Sequence, residues 1–196
     1  MKKSILLCVL FMSVMFAFSQ NEDAVIKKDF EQIIAYTKEM NMDKVTSMTY
    51  PPLVKLFPEG GLAAMASSLF EGMGVKTMFE NTPVNLKVTP VTTLKNAVLC
   101  MGEYDANTIL EFKDNNMMEM FLNFSPEGQR LEKLDNNKIR MSGKHYLLAI
   151  KDTHTENTWK YLNYDEEFMK SEIAQAVLTE EIINNAAKLK QSFIKE

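Results

Sequence analysis

Pro83-Val84-Asn85-Leu86-Lys87-Val88-Thr89 alternates apolar and polar residues, whereas the patterned segments before it repeat at helical spacing. Strict alternation puts successive side chains on opposite faces of a half-buried strand. Downstream, Ala97 to Met101 is a continuous apolar run, and the pattern goes on past Gly102 and Tyr104 to Ile109, Leu110 and Phe112. This predicts one long strand with a bend or bulge at Gly102. Met118, Met120, Leu122 and Phe124 then alternate and predict another strand, ended by Ser125-Pro126-Glu127-Gly128. Asp135-Asn136-Asn137-Lys138 turns the chain into a strand from Ile139 to about Lys151, and Asp152 to Asn157 turns it again. A last strand, Thr158 to Tyr164, carries the only tryptophan, Trp159. Strands this close together pair antiparallel, because a parallel pair needs a crossover of about a dozen residues or more.

Upstream of Pro83 the period is helical. Ile26, Phe30, Ile33, Ile34 and Met40 recur at three- and four-residue spacing, with Lys27, Lys28, Asp29, Glu31 and Lys38 on the other face. Asn21, Glu22 and Asp23 supply a cap and negative charge at the positive end of that helix. Asn41 and Asp43 restart a short helix through Met42, Val45 and Met48, which must stop at Tyr50-Pro51-Pro52. Leu62 to Met73 reads as a further helix, opened by Pro58-Glu59-Gly60-Gly61 and closed by Gly72 and Gly74. Beyond the strands, Asn163 with Glu166 resembles a capping box, and Thr179 caps an amphipathic stripe of Leu178, Ile182, Ala186, Leu189 and Phe193.

The first residues carry a different message. Lys2 and Lys3, the apolar run from Ile5 to Phe18, and the small residues of Ala17-Phe18-Ser19 together read as a cleavable signal peptide over residues 1–19. The run is shorter than the roughly 20 residues a bilayer span needs. A secreted or periplasmic protein cleaved after Ser19, with no membrane span thereafter, is the expectation. Cleavage would leave Cys100 as the only cysteine, so stability must come from a packed core and not from an internal disulfide. Removing two lysines takes the net charge from −4 to −6, a poor match for a phosphate backbone, and no nucleic-acid partner is expected.

Helices first, a strongly bent antiparallel sheet second, and a tryptophan-bearing last strand resemble the nuclear transport factor 2-like superfamily. Met42-Asp43-Lys44-Val45 before Tyr50-Pro51-Pro52-Leu53, then Gly60-Gly61 and Ala63-Ala64-Met65, is similar to the entry of small exported bacterial members. The resemblance implies an α+β fold over residues 20–164, a cone of sheet wrapped around N-terminal helices, with helices over 165–196 packed on or extending it. It also implies a pocket between the sheet and those helices, used for small apolar ligands or for isomerase, dehydratase or cyclase chemistry. Fold alone does not choose between these uses. No catalytic residue of the superfamily carries over, because nothing around Asp105, Asp152 or His145 matches a member-specific motif.

Three residues qualify as candidate chemistry. His145 shares the apolar face of its strand with Met141, Leu147 and Ala149, where an imidazole could act as a general base. A strand histidine bonded to a carbonyl or facing solvent is the plainer alternative. Glu103 and Asp105 lie two apart on the long strand and could pair as acid and base, although a bulge at Gly102 would turn them to solvent. His154, in a turn, is expected to be solvated. No cofactor and no metal site is expected: two histidines far from Cys100 give no zinc spacing, and Asp114-Asn115-Asn116 and Asp135-Asn136-Asn137 lack the glycine and distal glutamate of a calcium loop. Methionines such as Met117, Met118 and Met120 fill a core or line an adaptable apolar surface.

The first expectation for function is therefore an exported domain that binds a small apolar ligand or a partner, with a homodimer through its sheet, and with no recognisable catalytic motif. Two others stand beside it: a proton-transfer enzyme using His145 with Glu103 or Asp105, and an interaction module built on the C-terminal helices.

Overall fold

The computed structural model describes residues 22–58, 61, 72, 74–123, 128–134 and 137–194. The signal-peptide reading, most of the Leu62 to Met73 helix, and parts of the turns before Gly128 and Asn137 lie outside them. The fold is α+β: an open, seven-stranded antiparallel sheet with helices on both faces.

Helix α1 (22–38) realises the Ile26–Ile34 stripe, all of it buried. In α2 (Met42–Met48) the Asn41 side chain accepts from Lys44 N as predicted. The two prolines end it and also open a short α3 (Pro51–Val54), because proline at the first helical positions lacks only an amide that would be unbonded there. Three short strands follow, β1 (Val75–Phe79), β2 (Lys87–Val88) and β3 (Thr92–Thr93), and all three line one edge of the long β4 (Ala97–Phe112). The other edge of β4 pairs with β6 (Lys138–Asp152) in unbroken register from Ala97↔Asp152 to Glu111↔Lys138. The far edge of β6 carries β5 (Gln129–Lys133) and β7 (Lys160–Tyr164).

Two expectations are corrected here. Met118, Met120, Leu122 and Phe124 were expected to alternate along a strand, yet Asn115–Asn123 is a helix, α4, with Phe124 outside the described residues. Asp114 starts it by accepting from Asn116 N at 2.8 Å, and helical spacing carries Met118 into a core with Leu110, Phe112 and Ile139 while Met120 stays exposed. A short apolar run is compatible with either period, and the Asx cap decides it. Second, β4 has no bulge at Gly102, which pairs with Leu147 in continuous register. The irregularity lies on the opposite edge, where five residues from Val88 to Thr92 are matched by four from Gly102 to Leu99. Thr89 bridges it: its N–H donates to Met101 O and its Oγ1 accepts from Met101 N at 3.0 Å. Gly102 serves close approach instead, since a Cβ there would lie 3.1 Å from the Phe30 ring.

Continuous register sorts side chains between two faces. Cys100, Tyr104, Ala106, Leu147 and Ala149 face α1, whereas Leu99, Met101, Leu148 and Ile150 face the C-terminal helices. Those helices are α5 (Glu166–Lys170), α6 (Glu172–Val177) and α7 (Glu180–Ile194). Asp165, not Asn163, caps α5, accepting from Phe168 N, and Thr179 caps α7 as the sequence suggests. Leu178, Ile182 and Ala186 are buried against the sheet, so this segment completes the core. No helix among the described residues is long and apolar enough to cross a membrane.

Two outcomes follow from this packing. Gly102→Ala is expected to cost about 1–3 kcal/mol in chemical denaturation by overpacking against Phe30, with most of the loss recovered in the Gly102→Ala/Phe30→Leu double variant. Deleting 180–194 uncovers the Leu99/Met101/Leu148/Ile150 face and is expected to abolish cooperative thermal unfolding. A truncated chain that melts like the full one would make α7 an appendage.

Candidate functional site

Between α1 and the sheet lies a cleft of about 660 Å³. Its floor is made by alternate residues of β4 and β6: Tyr104, Ala106, Thr108 and Leu110 from the first, and Met141, His145 and Leu147 from the second. Ala106 adds only a methyl group to the middle of this floor. Ile33 and Ile34 of α1, Phe79 of β1 and Phe168 of α5 add apolar walls.

Most polar side chains on this lining are spent within the fold. Thr37 Oγ1 donates to Ile33 O at 2.8 Å, Thr49 Oγ1 to Val45 O at 2.8 Å, and Tyr161 Oη to Asp29 Oδ2 at 2.6 Å. At the rim, Lys38 Nζ donates to Thr82 O at 3.1 Å and Asp165 Oδ1 accepts from Phe168 N at 2.8 Å. Tyr104 and His145 differ. Their rings stack across the strands with centroids 5.4 Å apart, and neither side chain has a hydrogen-bond partner among the described residues. Tyr104 is only 8% exposed, and burial pushes its hydroxyl up to about 12. Burial likewise holds the His145 imidazole below its ordinary range. Thr77 Oγ1, on the adjoining β1, is also buried and unpaired. The site is an apolar cleft with a neutral phenol and a neutral imidazole on its floor, each with unused hydrogen-bonding capacity.

The predicted acid–base set is divided by the sheet. Glu103 is opposite Tyr146 and Asp105 opposite Lys144, one register position away from the Tyr104–His145 pair on either side, so both carboxylates project from the other face. There they share one ammonium: Lys144 Nζ lies 3.3 Å from Glu103 Oε1 and 2.8 Å from Asp105 Oδ1. Tyr146 Oη donates to Glu103 Oε2 at 3.1 Å, and Asn85 Nδ2 to Asp105 Oδ2 at 2.7 Å. Lys144 and Asn85 together hold the Asp105 carboxyl below the usual carboxylate range. The expectation that a bulge exposes the pair is corrected: Glu103 is 6% exposed, because the ladder runs straight through Gly102 and leaves it on the face covered by the C-terminal helices.

The remaining chemistry-bearing residues are structural. His154 is exposed, in a short 3₁₀ turn whose amide is bound by Asp152 Oδ1. Cys100 is buried, donates to Thr89 O at 3.1 Å, and is pushed up to about 11 by burial, which keeps it a thiol. No group of three or more metal-ligating side chains occurs among the described residues. Tyr104 was not singled out from sequence, because an aromatic in an apolar strand reads as core; only the pairing with His145 marks it.

A half-buried histidine held below its ordinary range ties stability to pH with a definite sign. A folded-state pKa below the ordinary 6.5 leaves stability intact above that value and removes it as the pH falls through it, since only the unfolded chain protonates readily. Thermal melts between about pH 7.5 and pH 5, above the range in which carboxylates titrate, are expected to show a falling Tm that flattens in His145→Leu. An equal slope in the variant would mean the imidazole is well hydrated in the folded protein. No protein-family model, curated protein or solved structure gives a significant match to this chain.

Proposed function

We propose that this is an exported domain that binds a small, mainly apolar ligand in the cleft between α1 and the sheet. The observation that carries the reading is the Tyr104–His145 pair, a phenol and a half-buried imidazole with no hydrogen-bond partner among the described residues, on the floor of a mainly apolar cleft. Ligand sites have this composition: apolar walls for affinity and a few convergent polar groups for orientation, in volumes of roughly 300–1,000 Å³. The cleft's position also agrees with what resemblance to the nuclear transport factor 2-like superfamily implies, a pocket between sheet and N-terminal helices. Export is supported by the basic, apolar and small-residue order of the first 19 residues. Binding without catalysis is preferred over proton transfer because the carboxylates proposed to serve His145 are engaged by Lys144 on the opposite face.

Native mass spectrometry of protein purified from its own host is expected to show a retained small molecule on the wild type. It is expected to be absent from Ala106→Leu, whose larger side chain occupies the middle of the floor without altering the circular dichroism spectrum. A clean apo mass for the wild type would move the reading toward a partner-binding or structural role.

A further inference from the structure

We propose that the cleft selects an uncharged amphiphile, an aliphatic or ring-bearing molecule whose hydroxyl or carbonyl group sits on Tyr104 and His145, and rejects the corresponding anion. The inference rests on the ligand-binding reading above and adds the chemical class of the ligand.

Charge on the lining makes the distinction. Among the described residues the floor of the cleft contains no ionic side chain: its polar groups are a phenol, an imidazole and threonine hydroxyls. Lys38, on the lining, is held at the rim on Thr82 O, and Asp165 places a carboxylate on the same lining. An anion seated on the floor would exchange its hydration for neutral donors, with a carboxylate already on the lining and, among the described residues, no arginine there to answer it. Burying an unpaired charge costs far more than burying a hydroxyl that finds partners. A hydroxyl finds both kinds of partner here, because a neutral imidazole offers one donor and one acceptor and the phenol offers another donor. A carbonyl oxygen accepts from both rings. Tyr104 is 8% exposed and its hydroxyl has no hydrogen-bond partner among the described residues, so it is free for a ligand that enters the cleft. Phenylalanine would fill the same space without stranding a polar atom.

The test uses the purified protein with the neutral fluorophore 1-aminoanthracene as a cleft probe, displaced by 1-decanol or by decanoate at about pH 8, where a carboxylic acid is ionised. The expected result is displacement by 1-decanol at concentrations at least about tenfold lower than by decanoate, the scale of one well-placed hydrogen bond. Tyr104→Phe, with the affinity of 1-aminoanthracene measured separately for the variant, is expected to erase that preference by weakening 1-decanol about tenfold relative to decanoate. Equal or tighter binding of decanoate overturns the selection of neutral ligands but leaves the cleft as a ligand site. A preference for 1-decanol that survives Tyr104→Phe overturns the role assigned to that hydroxyl. Failure of the fluorophore to bind, or binding that Ala106→Leu does not disturb, overturns the ligand-site reading itself.

Discussion

Fifteen consecutive residue pairs between β4 and β6, from Ala97↔Asp152 to Glu111↔Lys138, are the constraint on which the rest depends. A one-residue slip anywhere in this ladder would exchange the two faces of the sheet. Ile150 and Leu148 would then meet α1, and His145 would meet the C-terminal helices. The register is held because both faces are buried by different sets of side chains, so neither face tolerates the other's contents. Short strands then complete the sheet cheaply: β1, β2 and β3 on one side and β5 and β7 on the other each borrow a template that already exists.

Polar groups are used to fasten the helices to this ladder. Tyr50, 1% exposed, donates to Asp152 Oδ2 at 2.7 Å, while Asp152 Oδ1 accepts from the amides of His154 and Thr155. Thus the end of β6, the turn after it and the start of α3 are joined at one carboxylate, and the Tyr50 hydroxyl is driven upward by burial and by that bond. Tyr161 does the same between β7 and Asp29 of α1. On the opposite face, Lys190 and Phe193 of α7 lie against the Tyr146 ring, whose hydroxyl reaches Glu103. Each such phenol has a carboxylate partner, as buried polar groups generally require.

Much of this was legible from the sequence because it rests on local periodicity. The Ile26–Ile34 stripe, the two long strands and the caps at Asn41 and Thr179 are local patterns, and the structure keeps them. What was not legible depends on relations between segments. That His145 faces the same way as Leu147 and Ala149 follows from β6 alone, but which residues of β4 share its face follows only from the register. That is why Glu103 and Asp105 were grouped with it and Tyr104 was not. Gly102 illustrates the same limit: a glycine in a strand marks either a bulge or a close approach, and only the position of Phe30 chooses between them. The segment from Met118 onward was ambiguous in period, and Asp114, considered as part of an incomplete calcium loop, is what commits it to a helix.

Unlike these paired phenols, Tyr104 on the cleft floor has no such partner among the described residues. An unsatisfied buried polar group costs on the order of 1–3 kcal/mol, a sizeable part of the 5–15 kcal/mol by which a domain is stable. The fold obtains nothing from the Tyr104 hydroxyl that it returns to itself, since the ring contact with His145 would persist in phenylalanine. His145, half-buried beside it, also has no hydrogen-bond partner among the described residues. Two such groups stacked on each other on an apolar floor leave hydrogen-bonding capacity at one place in the cleft, and local consistency is broken where function asks for it. The physical meaning of the cleft therefore lies less in its volume than in this local deficit of hydrogen bonds, which a ligand bearing a single neutral oxygen would remove.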